Sequence, residues 1–220
     1  SVAAGKYTIS VTQLAQAQTL TSAVQSSNTA ALGDSSASSR TLSIALADGS
    51  SKDITLTSAQ TSLTGMRDAI NGANAGVSAS IIKVSDGSYR LSVSANESGS
   101  SKAVSTIKVT GDDTLAGIVG YDASATSNGM TESVTAQNAK LTVNNVAIES
   151  SSNTISDALE GITLNLSDVT SGTQTLTIAS DTTKANAAIT GWVSAYNTLQ
   201  DTFSSLTKYT AVDVGTDSQD

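Results

Sequence analysis

The sequence predicts an α+β fold in which antiparallel β-rich domains are inserted on a helical stem domain with a long C-terminal heptad-patterned helix. Three observations predict it. Short alternating apolar segments, separated by Asp-Gly, Asn-Asn and Ser-Gly turns, fill the middle of the chain. A helical period replaces that alternation from Asp181 onward. Both ends join a strand to a helical segment, so they share one pattern with the β units between them.

Residues 6–14 (KYTISVTQL) alternate, with Tyr7, Ile9 and Val11 on one face and Thr8, Ser10 and Thr12 on the other, a half-buried strand. Residues 15–32 are rich in Ala, Gln and Ser with weak helical spacing, and 33–40 (GDSSASSR) read as a polar linker. Leu42, Ile44 and Leu46 then alternate, Asp48-Gly49 tolerates the positive φ of a tight turn, and Ile54 and Leu56 return. Leu63, Met66 and Ile70 fall at i, i+3 and i+7, one apolar face of a helix over 62–75. Gly76 is placed to end it in the left-handed conformation. Residues 77–84 form a strand, Asp86-Gly87 turns, and Tyr89, Leu91 and Val93 return. A short strand follows over 104–109. Residues 112–121 (DDTLAGIVGY) read as a helical turn with Leu115, Ile118 and Val119 inward, and 124–130 as a second polar junction.

In the next β unit Ala139, Leu141 and Val143 alternate, Asn144-Asn145 turns, and Val146 and Ile148 return. Asn153 or Thr154 offers a cap for a short helix holding Ile155, Ala158 and Leu159, ended by Gly161. Ile162, Leu164 and Leu166 alternate, and after Ser171-Gly172 so do Leu176 and Ile178. With Asp181 as N-cap, a helical pattern then runs to Tyr209. Its large apolar residues, Ile189, Trp192, Tyr196, Leu199, Phe203 and Leu206, are spaced 3, 4, 3, 4 and 3 apart, a heptad seam. Such a helix spans roughly 40 Å at about 1.5 Å per residue. It packs along another helix, as a coiled coil or inside a four-helix bundle, and that helix belongs to this chain or to a neighbour. The expected domains are an incomplete stem (1–32 and 173–220), a β-rich domain over 41–131, and a second over 132–172 that part of 15–40 is available to complete. The chain begins at Ser1 rather than Met and is expected to be a piece of a longer protein.

Composition narrows the function. His and Cys are both absent, which removes Ser-His-Asp and Cys-His catalysis, disulfides and nearly all zinc sites. A net charge of −8 argues against nucleic acid and anionic membrane surfaces as partners. No apolar run approaches the roughly 18 residues of a membrane span. Asp112-Asp113 offers a carboxylate pair, but no partner ligand lies nearby in sequence, so it reads as a solvated loop. Asp213, Asp217 and Asp220 lack the Gly and closing Glu of a calcium loop. Asn96-Glu97-Ser98 and Asn165-Leu166-Ser167 read as chance sequons, and Asn71-Gly72 and Asn128-Gly129 as turn signals. Tyr7, Tyr121 and Tyr209 read as core or half-buried packing. No catalytic residue, cofactor or metal is expected.

Two segments carry a resemblance. Residues 61–99 (TSLTGMRDAINGANAGVSASIIKVSDGSYRLSVSANESG) resemble the flagellin IN motif, matching at Asp68-Ala69-Ile70-Asn71, Ala75-Gly76-Val77, Asp86-Gly87 and Arg90-Leu91. Residues 137–166 (QNAKLTVNNVAIESSSNTISDALEGITLNL) resemble the central region of flagellar filament cap proteins, with Asn145 where Gly is common and Leu159 where Ile is common. The opening YTISVTQLAQAQTL and the run from Thr173 resemble the same family, and 154–166 separates a cap from a flagellin. The resemblance implies a structural, exported protein at the flagellum tip. It implies a ring-shaped homo-oligomer, five or six subunits in the full-length protein, that promotes folding and insertion of exported flagellin. It places 6–14 and 174–209 in the stem domain and the filament-gripping termini outside this chain, so the chain alone is expected to assemble weakly or not at all. Rival readings are a flagellin-like or hook–filament junction component, which shares the IN motif, and an adhesin-like surface module. Aromatic content of only 3% weakens the last.

Overall fold

The computed structural model describes residues 4–179 and 181–208. Tyr209 and the tail carboxylates Asp213, Asp217 and Asp220 lie outside the described residues. The chain divides into two compact units, Ser1–Thr177 and Ile178–Asp220.

In chain order, the first strands are β1 (Gly5–Gln13), β2 (Thr19–Ser22), β3 (Arg40–Leu46) and β4 (Ser51–Leu56). Helix α1 (Leu63–Ala73) follows, then β5 (Val77–Ser85), β6 (Ser88–Ala95), β7 (Val104–Thr110) and helix α2 (Asp113–Val119). The short β8 (Tyr121–Asp122) and β9 (Met130–Val134) precede two hairpins, β10 (Ala139–Val143) with β11 (Val146–Ser150) and β12 (Thr154–Leu159) with β13 (Ile162–Asn165). Strand β14 (Gln174–Ile178) and helix α3 (Thr183–Leu206) close the chain.

Four sheets result, ordered β4-β3-β7-β8, β5-β6-β2-β9, β11-β10-β1-β14 and β12-β13. The first two share one core with both short helices, centred on Leu20, Leu42, Ile44, Leu63, Met66, Ile70, Leu91 and Leu115. The other two enclose a smaller core of Val11, Leu141, Val143 and Ile155, against which Tyr7, Ile9 and Leu164 pack. Strand β3 shows how the sequence sets this up: its buried and half-buried residues alternate along the whole strand, so one face is dedicated to the core. The Asn144-Asn145 turn takes positive φ at both residues (49° and 64°), the backbone that two-residue hairpins favour. Tyr121 is buried and Tyr7 half-buried, as their sequence context suggested.

Four local expectations change. Residues 15–32 hold no helix; Thr19–Ser22 is a strand seated between β6 and β9, with Leu20 fully buried. Tertiary pairing overrides the helix preference of its Ala- and Gln-rich surroundings. Residues 154–159, spaced like a short helix, are strand β12; a register irregularity between Ile155 and Leu159 shifts the strand's period so that it imitates a helical one. Helix α1 stops at Asn74, which takes the left-handed conformation (φ 53°) two residues before Gly76. Its start is as expected: the Ser62 hydroxyl accepts the Gly65 N–H at 3.1 Å, a cap that contributes about 1 kcal/mol. Asp112, read as solvated, is buried. Its carboxylate accepts the Leu115 N–H as the N-cap of α2 and pairs with Arg40. The sign of its burial was hidden because Arg40 lies far away in sequence.

Candidate interaction surface

Helix α3 is built from residues with little to bury against their own neighbours. Its N-cap position is Thr182, one residue later than the expected Asp181, and Thr182 makes no side-chain cap bond. Asp181 still serves the helix start, since its carboxylate accepts the Thr183 N–H at 2.9 Å. Hydrogen bonds from the Thr183 side chain and then its backbone hold the Asp181 carboxyl below the usual aspartate range. Further along, the hydroxyls of Thr198 and Thr202 donate to the carbonyls of Ser194 and Thr198, four residues back, so these polar side chains lie against the helix backbone.

The heptad residues are all in water. Ile189, Trp192, Tyr196, Leu199, Phe203 and Leu206 are exposed by 49% to 78%, and α3 has no buried residue. Residues three and four apart share a helix face, so the six form one stripe, widened by exposed Val193. Trp192 and Tyr196 stack on each other, with ring centroids 5.7 Å apart and planes inclined by 20°. Single exposed apolar side chains are ordinary, but a contiguous stripe holding the chain's only Trp and only Phe is a candidate interaction face.

Within the Ser1–Thr177 unit a cleft of about 620 Å³ lies between β7, α2 and the 120–129 loop. Ile107, Val109, Ala116 and Tyr121 line it together with Lys108, Asp122, Ser127 and Asn128. Among the described residues no group of carboxylates is arranged to hold a metal ion, and no helix is long and apolar enough to cross a membrane.

Two polar features escaped the sequence reading. One is the Arg40–Asp112 pair, for which a signal existed: Arg40 occupies the inward register of Leu42, Ile44 and Leu46 on β3. The other is a set of asparagine carboxamides, those of Asn71, Asn128 and Asn153, bonded to both backbone groups of Ala79, Asp122 and Ala15 in turn. Asn71-Gly72 and Asn128-Gly129 look like turns in sequence, and nothing local announces their partners.

Comparison with known proteins gives a consistent answer. The family model described as flagellar hook-associated protein 2 C-terminus matches residues 136–220, and the flagellin hook IN motif matches 41–97. The flagellar hook-associated protein 2 of Escherichia coli K12 is 63% identical over 219 residues, covering 98% of this chain and 46% of the relative. The chain therefore spans about half the length of the curated relatives it matches. Among solved structures, the D1-D2-D3 domains of the E. coli flagellar cap protein FliD superpose with a TM-score of 0.81 at 60% identity, covering 94% of this chain and 58% of that one. The D2-D3 domains of the same protein superpose with a TM-score of 0.77 at 57% identity, covering 82% of this chain and 93% of that one.

Proposed function

Because the chain belongs to the flagellar hook-associated protein 2 family, the flagellar cap proteins, we propose that it is the central part of a structural cap at the distal end of the flagellar filament. It acts outside the cell, without catalysis, and promotes the folding and insertion of exported flagellin subunits. The full-length protein works as a ring-shaped homo-oligomer of about five or six subunits, a size in keeping with closed cyclic symmetry.

The observation that carries this reading is likeness to cap proteins over almost the whole chain, in sequence and in fold. The physical features agree with it. Lateral contacts that hold yet slide are served by low-charge Ser/Thr surfaces, which make many weak polar contacts. The stripe from Ile189 to Leu206 packs along another helix, of this chain or of a neighbour. Residues 41–97 match the IN motif of flagellins, which supports a filament or junction component as the second reading.

Deleting the full-length gene and assaying the medium for flagellin decides between them. Cells with hooks, no filaments and free flagellin outside are expected, since export continues while assembly fails. Normal filaments without leakage overturn the cap reading.

A further inference from the structure

Three asparagine side chains do the same job at three places. The Asn71 carboxamide donates to the Ala79 carbonyl at 2.9 Å and accepts the Ala79 N–H at 2.7 Å. Asn128 donates to the Asp122 carbonyl at 3.0 Å and accepts the Asp122 N–H at 2.7 Å. Asn153 donates to the Ala15 carbonyl at 2.9 Å and accepts the Ala15 N–H at 2.7 Å. A primary amide offers one carbonyl and an N–H beside it, the same pair that a facing residue of a neighbouring strand exchanges in an antiparallel ladder.

Two of these sites are sheet edges. Strand β5 is an outer strand of β5-β6-β2-β9, and β8 is an outer strand of β4-β3-β7-β8. Backbone groups alternate sides along a strand. Since Ala79 is engaged by Asn71, its N–H and carbonyl point away from β6, and so do those of Ile81 and Lys83. On β8 the Ala123 N–H donates to the Ser105 carbonyl at 2.9 Å, which turns the Asp122 backbone groups outward, where Asn128 meets them. Each carboxamide thus occupies the lane in which a further strand would run. On β5 the blocked position is the third of nine residues, and the outward groups of Ile81 and of charged Lys83 lie beyond it.

We propose that Asn71 and Asn128 are edge stops that keep β5 and β8 from pairing with a strand of a second copy of this chain. An unpaired edge is a template for strand addition, and this chain has no Pro anywhere to break one. The carboxamide supplies the block chemically. Asp at either position still accepts the N–H but sets oxygen against oxygen at the carbonyl, and Ala supplies neither bond.

The test compares Asn71→Ala, Asn128→Ala and the double variant Asn71→Ala/Ala79→Pro with the parent by sedimentation across a concentration series, with circular dichroism to establish that each is folded. The weight-average mass of Asn71→Ala is expected to rise with concentration and to reach twice the parent value at the same concentration. The double variant returns to parent behaviour, because the proline removes the outward N–H that a new strand needs without touching the bonds to β6. A folded Asn71→Ala that sediments like the parent overturns the proposal, and so does association that survives the proline. If Asn71→Ala does not fold, Asn128→Ala decides by the same mass criterion at the β8 edge.

Discussion

Arg40 Nε lies 2.7 Å from Asp112 Oδ2, with the two side chains exposed by only 3% and 0%. The same carboxylate accepts the Asp34 N–H at 2.9 Å and the Leu115 N–H at 2.8 Å, and the Arg40 guanidinium also donates to the Asp34 carbonyl. One ion pair therefore joins the 33–40 loop, the first residue of β3 and the start of α2. Removing either partner leaves the other charge buried. Arg40→Ala and Asp112→Ala are each expected to lower unfolding free energy by about 3 kcal/mol or more, read from urea unfolding midpoints. The double variant is expected to cost clearly less than the sum. A loss within the error of the parent for either single variant contradicts this assignment.

The pair also sets an acid response. Burial pushes the Asp112 carboxyl up, but Arg40 and the N–H groups of Leu115 and Asp34 outweigh it and hold the group below its ordinary 3.8. A carboxyl depressed in the folded state contributes stability that is complete above its unfolded value and is lost as pH falls through the folded one. Stability is therefore expected to be level from neutral pH down to about pH 4 and to fall below it. Asp112→Asn starts lower at neutral pH and shows a shallower acid limb. Parallel limbs for parent and variant would assign the acid loss to other carboxyls, such as Asp48, which Ser50 and Lys102 hold down at about 2.

Two glycines of α1 make a matched pair. A Cβ on Gly65 meets Gln60 Cα at 2.5 Å, whereas a Cβ on Gly72 meets nothing within 4 Å. Gly65→Ala is expected to cost about 1–3 kcal/mol through overpacking. Gly72→Ala is expected to stabilise by up to about 1 kcal/mol through helix preference. Thermal melts of both variants check the opposite signs, and equal effects would show that the backbone at Gln60 yields freely.

Trp192 is the chain's only tryptophan and is exposed by 69%, so its fluorescence reports on α3 alone. The emission is expected at the long wavelengths of a wet indole, with ready quenching by iodide. Leu199→Ala is expected to shift the unfolding free energy of the β unit by less than about 0.5 kcal/mol, as for any side chain in water. If the stripe packs along another helix in the full-length protein, as proposed, the emission is expected there at shorter wavelength. A blue, protected emission in this chain would mean that α3 is already covered.

Most strands were legible because β3 and β10 alternate in burial between turn residues, and the apolar residues of β6 and of the first half of β5 recur at every second position. Helix α1 was legible from Leu63, Met66 and Ile70, the three residues it buries. Strand β2 was not, because four residues with one large apolar side chain carry too little period. Strand β12 was misleading because its irregular register spaces Ile155 and Leu159 like a helix. The α3 stripe was readable residue by residue, since it depends only on local spacing. The Arg40–Asp112 pair and the bonds of Asn153 to Ala15 were not, since each depends on a partner that the fold brings near, while Asn71 and Asn128 have partners eight and six residues away but stand before Gly and so look like turn residues.

The order in which partners become available follows from the same ladders. Strand β3 with β4 and β5 with β6 pair as neighbours in sequence, but β3 also pairs with β7 through Leu42 and Val109, β2 with β6 through Leu20 and Val93 and with β9 through Ser22 and Met130, and β1 with β10 through Ile9 and Val143. Such distant matches slow folding, because a long loop must close before any contact rewards it. The β3–β4 and β5–β6 hairpins can therefore organise early, while β1 waits longest. A chain that emerges from its N-terminal end holds β1 without β10 until more than half of its length has followed, whereas β2 meets β6 sooner and waits only for β9 on its other side.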